Sequence, residues 1–361
     1  MPSLLFYISG HGYGHARRMT QVIRELIRSR PDVQIHIRSA APPRVFEPLP
    51  RGWVSTCEID SGLAETDPFT IDRAASLQRL SAFMARRGKI AADEAAIVRQ
   101  FKPDLIVADI PFLAGDVAAA AGVRCVGISN FTWDWIYENL LGDDARYTPM
   151  GRAIADSYAK MFCLLELPFG QTCREIPTKI AVPLIALQSR REPGAILAQI
   201  GIAPDDGRPR VLIGTRGALA PEILANAAGD AKEFLFLCPH ESTETVPANG
   251  VSIPLGRDLD FSDVLRISDV VVSKLGYGMI SECICGQTRL VWPPRDGFIE
   301  DQIVAAEAPK FVPMLPMPMA DYRGGNWGTF LRQAMKLPAS SQIIATNGAC
   351  LCAGTILEMI G

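Results

Sequence analysis

Basic residues are not in excess in this sequence, and long apolar runs are missing from it. The 361 residues carry a net charge of −3, which provides no positive field for a nucleic-acid backbone. The apolar runs are of strand length, shorter than the roughly 20 residues that a membrane-spanning helix needs. Residues 1–8 lack a basic leader and a small-residue cleavage site, and they predict a buried strand. The sequence therefore predicts a cytoplasmic protein with no nucleic-acid partner and no membrane span.

Histidine is scarce, and the cysteines follow no metal-binding spacing. The chain has four histidines and nine cysteines, with no C-x-x-C motif. Cys283 and Cys285 are two residues apart in a predicted helix, as are Cys350 and Cys352. Residues two apart do not share a helix face, so neither pair forms half of a zinc site. We expect no metal site, and free thiols in apolar segments are typical of a reducing compartment.

What the sequence has in plenty is an alternation of apolar strands and amphipathic helices. The length favours two domains, and the alternation stops and restarts around a charged, proline-punctuated stretch at 170–195. Continuous apolar strands are typical of parallel sheets covered by helices. The predicted fold is α/β, with two Rossmann-like doubly wound domains that face each other across a cleft. The predicted bounds are 1–182 for the first domain, 183–345 for the second and 346–361 for a C-terminal helix.

A glycine turn in the second predicted domain follows an apolar strand at 269–273 and opens a short helix. Gly276 and Gly278 let an anion approach the unpaired N–H groups at the helix N-terminus. Glu282 lies one turn into that helix, within reach of sugar hydroxyls beside a bound phosphate. The segment predicts a pocket for a nucleotide diphosphate and its ribose. A tight turn with a surface glutamate is the alternative interpretation.

Another glycine turn, at 9–15, follows the first predicted strand. Its spacing is G-x-G-x-G, with His15 in the place of the third glycine of a dinucleotide fingerprint, and no acidic residue ends the next strand. The NAD fingerprint therefore fails, while Arg38 leaves an NADP site weakly open. His11 and His15 share this loop above the strand ends, and histidine suits proton transfer at neutral pH. Both are candidates for contact with a substrate, although a lone histidine is usually structural.

Further polar residues stand near the ends of predicted strands, where ligands bind in parallel sheets. Asp109 ends one such strand, and Arg216 follows another within a third glycine turn. Asp301 and Gln302 start a helix in the second domain and can reach sugar hydroxyls. A capped helix start explains Asp301 nearly as well. The acidic segment 57–75 predicts a loop, which either covers the cleft or is simply solvated.

Both glycine turns and the tail of the second domain resemble those of GT-B glycosyltransferases, and within them the family-28 branch. The stretch 10–15, GHGYGH, matches that branch's N-terminal glycine loop, which ends in histidine and faces the acceptor and the diphosphate. Three residues match its donor motif, Gly276, Gly278 and Glu282, and Gln302 matches the glutamine near the donor sugar. With this resemblance, the expected donor-binding residues are Gly12, Gly14, Arg216, Lys274, Gly276, Tyr277, Gly278, Ser281, Glu282, Asp301 and Gln302.

The sequence also resembles the glycosyltransferase-like N-terminal half of plant L-arabinokinases over nearly its whole length. The shared features are a GHGYGHA-like start, an NFTWDWIY-like stretch at 130–137 and an LGYG-x-x-SE run at 275–282. The sugar kinase half has no counterpart here, and no kinase activity is expected. Met279 departs from the pattern, because it stands where the family usually has a hydroxyl residue that can touch phosphate. One possible donor contact is thereby removed.

The expected reaction is transfer of a sugar from a nucleoside diphosphate sugar, with UDP the favoured carrier, to a hydroxyl acceptor. The resemblance implies inversion at the anomeric carbon without a metal, with the helix N-terminus stabilising the departing diphosphate. His15 is the expected general base, with His11 or Asp109 as substitutes. No cofactor is expected besides the nucleotide-sugar co-substrate, and the acceptor is a small molecule, a lipid or a glycan. The alternatives are a nucleotide-sugar epimerase on the same fold and a non-catalytic sugar-nucleotide sensor.

Overall fold

The computed structural model describes residues 1–361 except Pro48, Arg216, Ala218 and Arg257. The described residues form two parallel sheets, each flanked by helices, and one small antiparallel pair of strands. Parallel neighbours need a crossover connection, and helices supply most of these connections here. Within the described ranges, no helix combines the length and the apolar composition needed to cross a bilayer.

The first sheet is built from the first half of the chain. The strands and helices of that half are β1 (Ser3–Ile8), α1 (Gly14–Ser29), β2 (Gln34–Ser39), β3 (Val54–Thr56), β4 (Glu65–Asp67), β5 (Thr70–Ile71), α2 (Arg73–Phe101), β6 (Leu105–Asp109), α3 (Leu113–Ala121), β7 (Cys125–Ser129), α4 (Trp133–Leu141), α5 (Tyr147–Tyr158), β8 (Cys163–Glu166) and β9 (Lys179–Ala181). Seven strands pair in the order β3-β2-β1-β6-β7-β8-β9, all parallel, while β4 and β5 form the antiparallel pair.

The second sheet has six parallel strands in the order β12-β11-β10-β13-β14-β15. The elements of this half are α6 (Pro193–Gln199), β10 (Arg210–Ile213), α7 (Pro221–Asp230), β11 (Leu235–Pro239), β12 (Gly250–Ile253), α8 (Phe261–Arg266), β13 (Val270–Val272), α9 (Tyr277–Gly286), β14 (Arg289–Trp292), α10 (Ile299–Glu307), β15 (Met314–Pro316), α11 (Met319–Gly324), α12 (Gly328–Lys336) and α13 (Gly348–Ile360). Short 3-10 helices cover Pro43–Phe46, Arg51–Trp53 and Ala308–Lys310.

The strand order of each sheet reverses once, and these reversals position the site. The reversal lies between β1 and β6 in the first sheet and between β10 and β13 in the second. At such a switch point, a crevice opens outside the carboxyl ends of the strands, and ligands bind there in doubly wound sheets. The turn after β1 contains the two histidines, and Asp109 ends β6. The other glycine turn follows β13, so both turns lie at switch points.

The central strands are apolar on both faces because helices cover both faces of each sheet. Every residue of β1, β6 and β7 is buried, and so is every residue of β13, whose sequence is Val-Val-Val. Parallel strands of this kind are expected from continuous apolar runs. Asp109, which the sequence predicts at the end of a strand, is the last residue of β6. The acidic segment 57–75 is not only a loop, since it contains β4, β5 and the start of α2.

The C-terminal helix returns to the first domain. It packs against α1, where Arg30 Nη1 donates a hydrogen bond of 3.0 Å to the carbonyl of Gly361. At its other end, the Gly348 N–H donates to the Leu184 carbonyl at 2.9 Å, in the segment that connects the two sheets. The chain therefore crosses between the two domains twice, once after β9 and once before α13.

Candidate functional site

A cleft of about 690 Å³ lies between the two sheets. Its walls include both glycine turns and part of the acidic segment. The lining includes Glu65 and Asp67 of the acidic segment and the following residues predicted from the sequence: His11, Gly12, Gly14, His15, Lys274, Gly276, Tyr277, Gly278, Met279 and Glu282. The two turns face one cavity because each of them follows a strand at the switch point of its sheet.

The N-terminus of α9 opens into this cleft. Gly276 is its N-cap, and no side chain caps the helix start, which leaves the N–H groups of the first turn for a ligand. A Cβ placed on Gly276 or Gly278 would meet no protein atom within 4 Å. Packing against the protein therefore does not require glycine at these positions. What the missing side chains provide is open space beside a backbone that attracts anions.

Four described cations line the cleft, and three of them have carboxylate partners. The pairs are Arg17 with Asp260 and Glu282, Arg18 with Asp109, and Arg295 with Asp301. Lys274 makes no hydrogen bond or ion pair with any described residue. Burial lowers the pKa of its ammonium, and the negative charge of Glu65 offsets only part of this effect. Withdrawing a cation from water without an anion is unfavourable. Lys274 is therefore the described cation best placed to receive an anionic ligand.

His15 is held by a buried carboxylate. Its Nδ1 lies 2.9 Å from Asp109 Oδ1, and Arg18 donates to both oxygens of the same carboxylate. Burial acts to raise the pKa of Asp109, but Arg18 and His15 outweigh it and lower that pKa. In the Nδ1–H tautomer the imidazole donates a hydrogen bond to this carboxylate, which leaves Nε2 as the proton acceptor. Arg18 Nη2 lies 3.2 Å from the same Nδ1. Asp109 is fully buried and does not line the cleft, so its carboxylate faces His15 and Arg18 and not the cavity.

His11 has a different environment in the same turn. Its ring lies edge-on to Trp133, with ring centroids 5.4 Å apart, and its Nε2 is 3.7 Å from Glu65 Oε1. Burial lowers the pKa of His11 to about 3, with His15 and Lys274 adding to the effect. A histidine with so low a pKa is neutral and a poor proton acceptor. The surroundings of the two histidines thus favour His15 as the base.

The remaining predicted residues are placed unequally around the cleft. Ser281 is buried inside α9, where its hydroxyl donates to the Tyr277 carbonyl at 2.7 Å, and it does not line the cleft. Asp301 is paired with Arg295 behind the lining, and Gln302 is exposed outside it. Arg216 lies outside the described residues.

Tyr277 and Glu282 connect α9 to other parts of the chain. The Tyr277 hydroxyl accepts a hydrogen bond of 3.0 Å from the Ile185 N–H, in the segment between the two sheets. Glu282 Oε1 lies 3.4 Å from Arg17 Nη2, which reaches across from α1. The carboxylate expected to hold the ribose is thus close to a cation of the opposite domain.

Several cleft residues were not predicted from the sequence, namely Arg17, Arg18, Asn130, Arg295 and Glu300. Asn130 follows β7 just as Asp109 ends β6, so the strand-end rule alone can identify it. Arg18 is three residues after His15 on α1, a spacing that places both on one face of the helix. The described residues contain no cluster of three or more histidine, cysteine, aspartate or glutamate side chains that could hold a metal ion.

The sequence comparisons agree with the resemblance noted above. No protein-family model matches the chain. The L-arabinokinase of Arabidopsis thaliana is 28% identical over 337 residues, which cover 92% of this chain. The matched region is 32% of that protein, so the chain spans about a third of its length.

Solved structures share the architecture over the whole chain. Arabidopsis thaliana UGT89C1 complexed with quercetin matches with a TM-score of 0.63 and 14% identity, covering 100% of both chains. CalG4, the calicheamicin glycosyltransferase, matches with a TM-score of 0.58 and 14% identity, covering 100% of this chain and 95% of its own. At these identities the likeness is one of fold. It confirms the predicted pair of Rossmann-like α/β domains and shows that the chain has the GT-B fold.

Proposed function

We propose that the protein is a glycosyltransferase that moves a sugar from a nucleoside diphosphate sugar to a hydroxyl acceptor. One observation carries the proposal: the open N-terminus of α9 and the unpaired Lys274 share a cleft with the turn that bears His15. Displacement of a diphosphate by a hydroxyl needs an anion site and a proton acceptor close together. The fold, which solved glycosyltransferases such as CalG4 share, supports the same class of reaction.

The proposed donor is a UDP-sugar bound mainly by the second domain. Its diphosphate binds at the α9 tip beside Lys274, and its ribose hydroxyls donate to Glu282. The open space beside Gly276 and Gly278 supports this assignment, because a phosphate needs close approach to the backbone there. UGT89C1, whose fold the chain shares, has been solved with UDP and with UDP-L-rhamnose.

The proposed chemistry is a single displacement with inversion. His15 Nε2 accepts the proton of the acceptor hydroxyl while the acceptor oxygen bonds to the anomeric carbon. The bond from that carbon to the diphosphate oxygen breaks in the same step, and its electron pair leaves with the diphosphate. The α9 N–H groups and the Lys274 ammonium stabilise the negative charge that gathers there. In this proposal the protein's own groups supply the charge, and the reaction uses neither a metal nor a further cofactor.

A panel of nucleotides tests the donor site. We expect UDP and UDP-sugars to raise the unfolding temperature more than GDP or dTDP, because the proposed donor carries UDP. A ligand at 100 times its Kd adds about 2.7 kcal/mol of stability, so a difference in affinity is measurable. Lys274→Gln should weaken UDP binding because it removes the unpaired cation. Lys232→Gln is the matched control, since Lys232 is an exposed lysine of the same domain. Binding of UDP that is equally strong in both variants would contradict the assignment of Lys274.

Product analysis then separates transfer from the alternatives. A transferase releases UDP from a UDP-sugar only in step with formation of a glycosylated acceptor. An epimerase forms a new sugar isomer from the donor alone. Nucleotide binding without turnover across a broad acceptor panel would instead favour a sensor, in which case the transferase proposal fails.

A further inference from the structure

A buried chain of hydrogen bonds runs from His15 across the domain interface to Glu300. Its links are His15 Nδ1 to Asp109 Oδ1 at 2.9 Å, Arg18 Nε to Asp109 Oδ2 at 2.9 Å, Arg18 Nη1 to Asn130 Oδ1 at 3.0 Å, and Asn130 Nδ2 to Glu300 Oε1 at 2.9 Å. The five side chains are between 0% and 8% exposed as whole residues. Four belong to the first domain, whereas Glu300 belongs to α10 of the second.

Arg18 is a structural cation of this chain of bonds and is not free to bind a ligand. Its Nε and Nη2 donate to Asp109, and Nη2 also lies 3.2 Å from His15 Nδ1 and 3.3 Å from the hydroxyl oxygen of Ser129. The guanidinium stands over the ring of Tyr277, 4.9 Å from its centroid, so it also contacts the second domain. A buried guanidinium with this many partners has one orientation, and it fixes the carboxylate that it holds.

Asn130 is the one amide in the chain of bonds, and its orientation follows from its neighbours. Arginine has only donors and a carboxylate has only acceptors, so the oxygen of an amide placed between them faces the arginine and its N–H₂ faces the carboxylate. The Asn130 amide joins them, because Oδ1 accepts from Arg18 while Nδ2 donates to Glu300 and to the Phe169 carbonyl at 3.2 Å. The opposite orientation would set the amide N–H₂ against Arg18 and the oxygen against the carboxylate.

The bond between Asn130 and Glu300 exists only while the two domains are together. Asn130 follows β7 of the first sheet, and Glu300 lies at the start of α10, beside the second sheet. Both residues also line the cleft. A movement of the second domain away from the first would break this link and leave Arg18 with its first-domain partners alone.

We propose that Arg18 and Asn130 are positioning residues that hold the His15–Asp109 pair in its working geometry only when Glu300 of the second domain closes onto Asn130. This inference rests on the proposed transferase and adds a regulatory step to it. The proton stays on His15 Nδ1, with Nε2 ready as a base, in the closed cleft where water is excluded. In the open cleft the His15–Asp109 pair is less ordered. His15 then activates water less well, so a bound donor is hydrolysed more slowly.

The imidazole nitrogens report this state directly, without any substrate. The chain has only four histidines, so ¹⁵N-labelled histidine gives a spectrum simple enough to assign with single His→Gln variants. We expect neutral His15 of the wild type to be the Nδ1–H tautomer. Asn130→Ala and Glu300→Leu should each convert it to a mixture of tautomers, because each removes the link between the domains. Glu300→Gln is the conservative control, since its amide oxygen still accepts from Asn130.

His36 and His240 are internal references, because both lie outside the cleft lining. Thermal unfolding of each variant shows first that it is folded; if Asn130→Ala is not, Glu300→Leu tests the same bond from the other domain. An unchanged Nδ1–H tautomer in the folded variants would overturn the inference. So would the Nε2–H tautomer in the wild type, or a change in Glu300→Gln as large as in Glu300→Leu.

Kinetics add a readout that a merely structural role would not change. We expect Asn130→Ala to lower kcat about tenfold or more, which is part of the hundredfold or greater contribution of a general base, with donor Kd within about twofold of the wild type. The same substitution in a His15→Ala background should have little further effect, because the residue it acts through is gone. Additive losses would overturn the coupling. A wild type that transfers no sugar would sink the proposed function instead, and the tautomer measurement would still decide the inference.

Discussion

Asp109 has no exposed surface, and its two partners decide what it can do. Arg18 favours its ionised form, which accepts a hydrogen bond from the Nδ1–H tautomer of His15. The same carboxylate therefore links stability and function. Neutralising it would leave the Arg18 guanidinium buried with less compensation, and would also remove the group that selects the His15 tautomer.

Asp109→Asn should lower the free energy of unfolding by about 3–5 kcal/mol at pH 7, the usual effect of breaking a buried ion pair. Because the pKa of Asp109 is lower in the folded than in the unfolded chain, its contribution is complete above about pH 4 and is lost as the pH falls toward the folded-state pKa. Urea denaturation at pH 7, at pH 4 and at about pH 2–3 measures this. The difference from the wild type should shrink as the pH decreases.

Asp93→Asn is the control for that experiment. Asp93 is an exposed carboxylate on α2 that pairs with Lys89 across one helical turn, so its replacement should change the unfolding free energy by about 0.5 kcal/mol or less. A difference for Asp109→Asn that grows at low pH would contradict the lowered pKa.

The two histidines of the first glycine turn are expected to behave differently. His15→Ala should reduce turnover about a hundredfold or more, the usual contribution of a general base, while leaving UDP affinity within about twofold. His11→Gln should reduce turnover less, because a group with a pKa of about 3 accepts a proton poorly. Steady-state kinetics with nucleotide titrations measure both variants. Comparable losses would show that the low basicity of His11 does not govern its role.

At the residue scale, the sequence identifies the groups that follow a strand at its carboxyl end. His15 and Asp109 are predicted in this way, since strand ends are visible in the apolar pattern, whereas Lys274 is expected from the family resemblance. Arg18, Asn130 and Glu300 were missed because their importance depends on which side chains meet across two separate domains. Gln302 matches a family motif but is exposed outside the cleft, whereas Glu300, two positions earlier, lines it.

At the scale of elements, the N-terminus of α9 has both uncapped backbone N–H groups and open space beside its glycines. Gly278→Ala should leave thermal stability unchanged or raise it by a few tenths of a kcal/mol, because a Cβ there meets no protein atom within 4 Å and alanine favours helix. The same Cβ should weaken UDP binding about tenfold or more, or at least 1.4 kcal/mol, because it fills space proposed for the diphosphate.

Gly229→Ala provides the matched control for the α9 variant. Gly229 lies in α7, and a Cβ on it also meets no protein atom within 4 Å. It should therefore behave like Gly278→Ala in thermal unfolding but bind UDP as the wild type does. If Gly278→Ala binds UDP normally as well, the diphosphate does not use this helix N-terminus.

The elements that form central strands were predictable because burial on both faces leaves an uninterrupted apolar run. β6 and β7 show this, and β13 differs from its prediction only at its ends. The edge strand β9 is exposed along its length, so it carries no apolar pattern and was missed. The short hairpin of β4 and β5 was hidden by an acidic sequence that also fits a loop. The apolar pattern of the sequence therefore identifies buried central strands well and exposed edge strands poorly.

At the scale of the whole molecule, the cleft is bridged by polar contacts between the domains. Arg17 Nη2 of α1 lies 2.9 Å from Asp260 Oδ1 and 3.4 Å from Glu282 Oε1, and Arg323 lies 3.5 Å from Asp67. Such partly exposed pairs stabilise little individually. A bound ligand can therefore change how closely the two domains approach each other. Glu282 is the carboxylate that both Arg17 and the proposed ribose contact.

Arg17→Gln tests this arrangement. It leaves Asp260 and Glu282 without their shared cation, and both carboxylates then repel each other and a nearby diphosphate. We expect UDP affinity to fall by about 0.5–1 kcal/mol, or roughly two- to fivefold, as for a partly exposed pair, and the affinity for uridine to fall less, because uridine has no phosphate.

Small-angle scattering should show a larger radius of gyration for the ligand-free variant than for the wild type. Arg24→Gln, an exposed arginine of the same helix, should match the wild type in all three measurements. Equal losses for UDP and uridine would show that Arg17 acts on the ribose carboxylate alone and has no part in balancing the charge of the diphosphate.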